Sequence, residues 1–225
     1  MKQIKPSLLT VAMALLFAVA PSRAANEHAG HEHHVDHSQH AGHGDQVDHS
    51  KHMMQPAEKP TSVKVKLLDN RMVDQDGVLR KLSSDVIGDK IAVINFAYTT
   101  CTTVCPTLTT LMAKLQAELI ESGPSGVQLV TITVDPARDT PARMRTFGKQ
   151  YGVKPGWVWL TGQTGHVNEV LKGLGAYTPR FEDHPPLVLV GDPVSGNWTR
   201  FVGFTDPKEL LEKVRQLKAA RTAGK

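Results

Sequence analysis

The stretch Ile91-Ala92-Val93-Ile94-Asn95-Phe96-Ala97-Tyr98-Thr99-Thr100-Cys101-Thr102-Thr103-Val104-Cys105-Pro106 decides the fold. Its first seven residues are mostly apolar and rich in β-branched side chains, the pattern of a strand buried on both faces. From Pro106 to about Glu121, Leu108, Leu111, Met112, Leu115 and Leu119 recur at helical spacing. A strand, a short loop and a helix start therefore meet at Cys101 and Cys105, the only 2 cysteines of the 225 residues. Free backbone N–H groups and the macrodipole at a helix start favour an anion, so a thiol there ionises below the ordinary value of about 8.5. Pro106 suits the first helical position, where its missing N–H costs nothing. With both thiols on that first turn, the pair can close a disulfide or chelate a soft metal.

The flanking chain supplies the rest of an α/β domain. Before the junction, Val63, Val65 and Leu67 alternate as in a half-exposed strand, and Asp76-Gly77 between Met72-Val73 and Val78-Leu79 reads as a tight hairpin turn. After it come a strand over Val127 to Val134, the stretch Asp135 to Pro141, and a helix to about Tyr151 capped by Asp139 or Thr140. Trp157 to Leu160 is a short strand, and Thr164 or Gly165 opens a helix through Leu171. Pro186 to Val190 and Trp198 to Gly203 form a hairpin around Gly191 to Asn197, and Asp206-Pro207 starts the last helix. This order predicts a mixed central sheet flanked by helices, with the cysteine loop beyond the carboxyl end of a central strand.

The first 60 residues are of another kind. Lys2 and Lys5 precede an apolar run from Leu8 to Ala20, and Ser22 and Ala24 make cleavage after Ala24 the expected export processing. The run is short of the roughly 20 apolar residues that a membrane span needs, so an uncleaved anchor is the lesser alternative, and no stable span is expected after cleavage. No cysteine lies near the cleavage point to carry a lipid. Export places the thiols in an oxidising compartment, read here as the periplasm. Residues 25–60 hold His28, His31, His33, His34, His37, His40, His43, His49 and His52, followed by Met53 and Met54, among Gly, Ala, Ser, Gln and Asp. So little apolar surface predicts disorder, and the imidazoles and thioethers predict a metal-collecting arm open to copper, zinc or nickel. A solubilising linker is the bland alternative. The arm carries 2 lysines against 6 acids, whereas residues 61–225 carry 21 basic against 16 acidic side chains. Much of that excess lies on the last helix, as on any solvated terminal helix, and implies no nucleic-acid partner.

The cysteine-loop-helix arrangement resembles a thioredoxin-like domain, but with three residues between the cysteines instead of two. Phe96 to Pro106, together with Thr133-Val134-Asp135-Pro136-Ala137-Arg138-Asp139-Thr140-Pro141 and a lone His184 before a late strand, resembles the Sco (SenC/PrrC-like) family of copper chaperones. The resemblance runs from about Val65 to the last helix. It implies a thioredoxin-like fold with an N-terminal β-hairpin extension, and one copper ion held by Cys101, Cys105 and His184. Two thiolates and one imidazole suit Cu(I) and Cu(II). Asp135, Asp183 or Glu182 is expected to orient the imidazole. The Pro185-Pro186 pair stiffens the loop after His184, with one of its bonds a candidate for the cis form. Met112, Met144 and His166 read as core or solvated residues, not as ligands.

The resulting expectation is a periplasmic copper metallochaperone. Its clients are an exported apo copper enzyme, such as the dinuclear copper A centre of cytochrome oxidase or nitrous oxide reductase, and other periplasmic copper carriers or thiol reductases. The alternative is a thiol–disulfide oxidoreductase acting on such an apoenzyme through Cys101 and Cys105, which does not require His184. A structural disulfide, or a metal buffer with the domain as its carrier, are further readings. A peroxiredoxin-like peroxidase is disfavoured by Tyr98, which stands where such a site carries proline.

Overall fold

The computed structural model describes residues 57–123 and 126–224. The export segment 1–24 and the histidine-rich arm up to residue 56 lie outside the described residues. Eight strands form one mixed sheet: β1 (Thr61–Val63), β2 (Arg71–Asp74), β3 (Leu79–Lys81), β4 (Ile91–Ala97), β5 (Val127–Thr133), β6 (Trp157–Thr161), β7 (Leu187–Asp192) and β8 (Asn197–Val202). Their spatial order is β1-β8-β7-β4-β5-β6-β2-β3. β4, β5 and β6 run parallel, and every other neighbouring pair is antiparallel. Among the described residues, four α-helices flank the sheet: α1 (Val104–Glu121), α2 (Pro141–Gln150), α3 (Thr164–Gly173) and α4 (Pro207–Ala223). No described helix is long and apolar enough to cross a membrane.

All seven residues of β4 are buried, as expected of a strand covered on both faces. One face carries the core made with α1, α2 and α4, including Val93, Leu108, Met112, Met144, Phe147 and Val214. The other packs Ile94, Phe96, Val130 and Leu160 against α3 and a six-residue helical turn, Leu82–Ile87. Met112 and Met144 are thus core residues. On α4, Arg221 Nε reaches the buried Asp192 carboxylate at 2.9 Å, tying that helix to the end of β7.

Three local expectations needed correction. β1 ends at Val63, because the chain must cross from the β8 edge of the sheet to the β6 edge. Residues 64–70 make that crossing on the α3 side, where the Lys66 N–H donates to the Gly173 carbonyl at 2.7 Å instead of extending a strand ladder. α1 begins at Val104, so Pro106 falls inside its first turn and not at its first position. No described peptide bond is cis, so Pro185 and Pro186 stiffen their loop in the trans form. At α2 the choice of cap is resolved: Thr140 Oγ1 accepts from the Arg143 N–H at 3.3 Å, leaving the Asp139 carboxylate for other partners. The Asp76-Gly77 hairpin forms as expected, with Gly77 at φ 84.

Candidate functional site

β4 delivers the chain to the site, and α1 takes it away. Between them, the Cys101 N–H donates to the Tyr98 carbonyl at 3.2 Å and turns the loop back on itself. The residue preceding α1, Thr103, makes no side-chain cap. Cys101 Sγ takes that role instead, accepting from the Cys105 N–H at 3.2 Å. The first thiol therefore lies outside the helix and caps it, while the second lies within its first turn. Both thiols are free and buried.

This geometry separates the two acidities. The Cys105 thiol, the N–H groups of Cys105 and Thr103 and the Tyr98 hydroxyl all donate toward Cys101, holding it well below the ordinary thiol range despite the opposing effect of burial. Cys105 is pushed far up, first by donating its proton to Cys101 and then by burial, with the charges of Cys101 and Asp139 adding to the effect. Tyr98 is raised too, by burial and then by the adjacent thiolate. The pair thus holds one anion and one proton.

Asp139 organises the base of the loop. Its carboxylate accepts from the Thr99 N–H at 3.1 Å, and from the hydroxyls of Thr99 and Thr133. Its backbone carbonyl accepts from Thr161 Oγ1 at 2.7 Å. Asp139 thus connects β5, through its carboxylate, and β6, through its carbonyl, to the loop that follows β4. The sequence names Asp139 as a candidate helix cap and places Tyr98 and Asp139 in the two quoted stretches, but assigns neither a role beside the thiols. The available signal was their position: Tyr98 lies three residues before Cys101, and Asp139 belongs to the second of the quoted stretches.

His184 approaches from the segment before β7. A short helical turn, Phe181–Asp183, precedes it. Phe181 meets the Tyr98 ring edge-on at 5.0 Å, and the His184 ring lies 5.4 Å from that of Phe96. Across the segment, Arg138 sits 5.3 Å above the Phe181 ring while pairing with Asp135 at 3.0 Å. His184 Nε2 is buried with no hydrogen-bond partner, and burial pushes the imidazole down to about 4. Two of the carboxylates expected to orient this ring pair with arginines. Asp135 pairs with Arg138, and Asp183 pairs with Arg180 at 3.1 Å. Among the described residues, no three His, Cys, Asp or Glu side chains form a ready metal cage. Cys101 and Cys105 touch; His184 is close to their loop through Phe96 and Phe181 but is not gathered with them. His166 contacts the Arg71 carbonyl at 3.2 Å and belongs to the surface near β2.

A dithiol at a strand-to-helix junction of this sheet defines a thioredoxin-like domain. A profile described as SCO1/SenC matches residues 67–219, and the chain belongs to that family. An SCO2-like protein of Rickettsia conorii is 24% identical over 180 residues, covering 72% of this chain and 85% of the relative. A Stutzerimonas stutzeri relative is 33% identical over 104 residues, 46% of this chain and 49% of its own length; that match spans about half of the relative. Among solved structures, Bradyrhizobium japonicum ScoI with copper bound superposes with a TM-score of 0.53 at 26% identity, over 66% of this chain and 96% of that one.

Proposed function

We propose that this protein is an exported, periplasmic copper metallochaperone. Cys101 and Cys105 hold the ion as thiolates, His184 supplies the imidazole, and the cargo passes to an exported apo copper enzyme, with the dinuclear copper A centre of cytochrome oxidase or nitrous oxide reductase as the expected client. Other periplasmic copper carriers and thiol reductases are its further partners. In this reading residues 1–24 direct export, residues 25–60 form an accessory metal arm able to take copper, zinc or nickel, and the domain from 61 to 225 carries the site. The observation that carries it is the buried Nε2 of His184, unpartnered and held neutral beside a loop whose first thiol is already driven toward the anion. Metals bind thiolates and neutral imidazoles, so both groups stand in their ligating form at neutral pH. A buried polar atom with no partner costs roughly 1–3 kcal/mol, and a ligand that it binds in another state accounts for its retention. The family membership and the copper-bound Bradyrhizobium relative support the same assignment.

Copper is cargo here, and the chain's part is to bind and release it. Cys101 offers a thiolate, Cys105 gives up its shared proton, and the His184 ring leaves Phe96 to complete the set. The test is to titrate the thiol-reduced protein and its His184→Ala variant with Cu(I) and with Cu(II), following affinity and the thiolate-to-copper absorption. The expected result is a changed Cu(II) spectrum and a Cu(II) affinity weakened by at least tenfold, with a smaller loss for Cu(I). An unchanged Cu(II) spectrum and affinity would remove His184 from the site.

A second reading follows from the same thiols. One low-pKa, donor-rich cysteine beside a protonated partner is also the pair that a thiol–disulfide oxidoreductase needs, the thiolate attacking and the second thiol resolving the mixed disulfide. Reduction of a client disulfide by the His184→Ala variant at the parental rate, with no copper bound by either protein, would favour it.

A further inference from the structure

The thiols and the histidine are anchored in different cores. Cys101 and Cys105 belong to the core shared with α1, α2 and α4, whereas Phe96, against which the His184 ring rests, belongs to the core on the α3 side. Phe181 packs against that same α3-side core, and Tyr98, just beyond the end of β4, packs against both. For His184 Nε2 to meet the sulfurs, residues 181–184 have to swing past Tyr98. Whatever holds Phe181 opposes that swing.

Phe181 is held from two strand ends. Tyr98, after β4, meets its ring edge-on at 5.0 Å, and Arg138, after β5, lies 5.3 Å above the ring. Arg138 is itself fixed by Asp135 at 3.0 Å, where the carboxylate side chain is 3% exposed and the arginine 56%. The guanidinium thus reaches out from a buried anchor and closes over the ring. Arginine suits this place, because its planar group pairs with a carboxylate through its edge while its face covers an aromatic ring. Glu182 and Asp139 add their attraction for the same cation.

The two oxidation states of copper depend on the held segment to different degrees. Cu(I) is soft and well served by two thiolates, whereas Cu(II) draws more on an imidazole nitrogen. The apparent affinity for an ion that needs the histidine is scaled down by the fraction of molecules in which the segment is free to move. We propose that Arg138 is a specificity-determining residue of the copper site, which clasps Phe181 from its anchor on Asp135, keeps His184 back and so biases the site toward Cu(I) over Cu(II). This inference rests on the copper reading above. Arg138 touches neither the ion nor its ligands; it is a positioning residue that acts through Phe181.

The experiment compares the thiol-reduced full chain with its Arg138→Gln and Arg138→Lys variants. Glutamine removes the charge and the cover over the ring; lysine keeps the charge between Asp135 and Phe181 but not the plane. Amide hydrogen exchange is followed without metal, and Cu(I) and Cu(II) affinities are then measured separately by chelator competition. An exposed cation over a ring is worth about a three- to fivefold change in an opening equilibrium, so in Arg138→Gln exchange over residues 182–184 accelerates by about that factor. Cu(II) affinity rises by the same factor while Cu(I) affinity moves by less than about 1.5-fold, and Arg138→Lys falls between parent and Arg138→Gln in both readouts. Unchanged exchange in proteins that bind both ions would overturn the clasp and leave the copper reading standing. Faster exchange with an unchanged preference between the two ions, or a Cu(II) affinity that falls, would overturn the selectivity role, the latter by showing that the clasp belongs to the bound state. A parent that binds neither ion defeats the copper reading itself, and the selectivity role with it, whatever the exchange shows.

Discussion

Cys101 and His184 belong to one candidate site and sit in opposite environments. Around Cys101, a thiol, two backbone N–H groups and a tyrosine hydroxyl converge and favour the anion. Around His184 Nε2 nothing donates or accepts, and burial alone holds the ring neutral. The mechanical supports differ as well. The cysteine loop is pinned by hydrogen bonds to a buried carboxylate, Asp139, whereas the histidine segment rests on ring contacts with Phe96 and Tyr98. Directional bonds fix a loop in one geometry, while face and edge contacts between rings tolerate sliding. The cysteine loop is therefore built in advance, and in the proposed reading the histidine is recruited from its resting place against Phe96.

The comparison breaks most completely at the thiols. Cys101→Ser and Cys105→Ser each replace a sulfur ligand by a hydroxyl that is a poor ligand for soft Cu(I), while serine at 101 can still accept from the residue 105 N–H and cap α1. Either change weakens Cu(I) binding by more than roughly 100-fold, beyond the 10–100-fold typical of changes outside the ligand set. Competition against a Cu(I) chelator measures it. An affinity within tenfold of the parent would mean that copper is held elsewhere in the chain.

Next in size is the support beneath the loop. Asp139→Ala leaves the Thr99 N–H and the hydroxyls of Thr99 and Thr133 without their acceptor. At about 1 kcal/mol for each lost bond, the apo protein loses about 3 kcal/mol in denaturant unfolding. A loss below about 1 kcal/mol would show that the loop does not depend on this carboxylate.

How much of this division was visible in the sequence follows from what each part depends on. The unbroken apolar run of β4, the Asp76-Gly77 turn and the Thr140-Pro141 helix start are set by residues close in the chain, and they appear where the pattern puts them. The supports of the site are long-range and leave no periodic trace. Asp139 reaches Thr99 across 40 positions, and Phe181 meets Tyr98 only because β7 lies beside β4. Even the helix start shifted by two residues, because a sulfur, which no capping rule favours, took the place of an oxygen at the N-terminus of α1. The strand expected through Leu67 gave way to the crossing between sheet edges, a requirement set by topology and not by alternation.

The contrast in protonation gives a smaller, quantitative test. Above about pH 7, Cys101 is already a thiolate and His184 already neutral, so the shared proton on Cys105 is the one that metal must displace. Lower pH restores that proton and opposes binding; higher pH assists it. The apparent Cu(I) affinity therefore rises about tenfold per pH unit between about pH 7 and 8.5, with about one proton released per ion. Affinities measured against a chelator of known pH dependence, with proton release followed in weak buffer, check both numbers. Two protons per ion would mean that the Cys101 anion is not formed beforehand.

The smallest effect falls on the stored half. Phe181→Ala removes the edge-on contact with Tyr98 and the ring beneath Arg138, while leaving His184, both cysteines and the Asp139 bonds in place. An aromatic pair contributes about 1 kcal/mol beyond its buried area, which corresponds to about a fivefold change in an opening equilibrium. Amide hydrogen exchange of residues 181–184 accelerates by about that factor, while exchange over β4 and the first turn of α1 stays at the parental rate. If the histidine half is recruited by leaving its resting place, a weaker hold lowers the cost of recruitment, and the variant binds Cu(II) slightly tighter than the parent. Faster exchange spread equally over the cysteine loop would instead mean that the two halves move as one body, and the distinction between a prepared dithiol and a stored imidazole would fail.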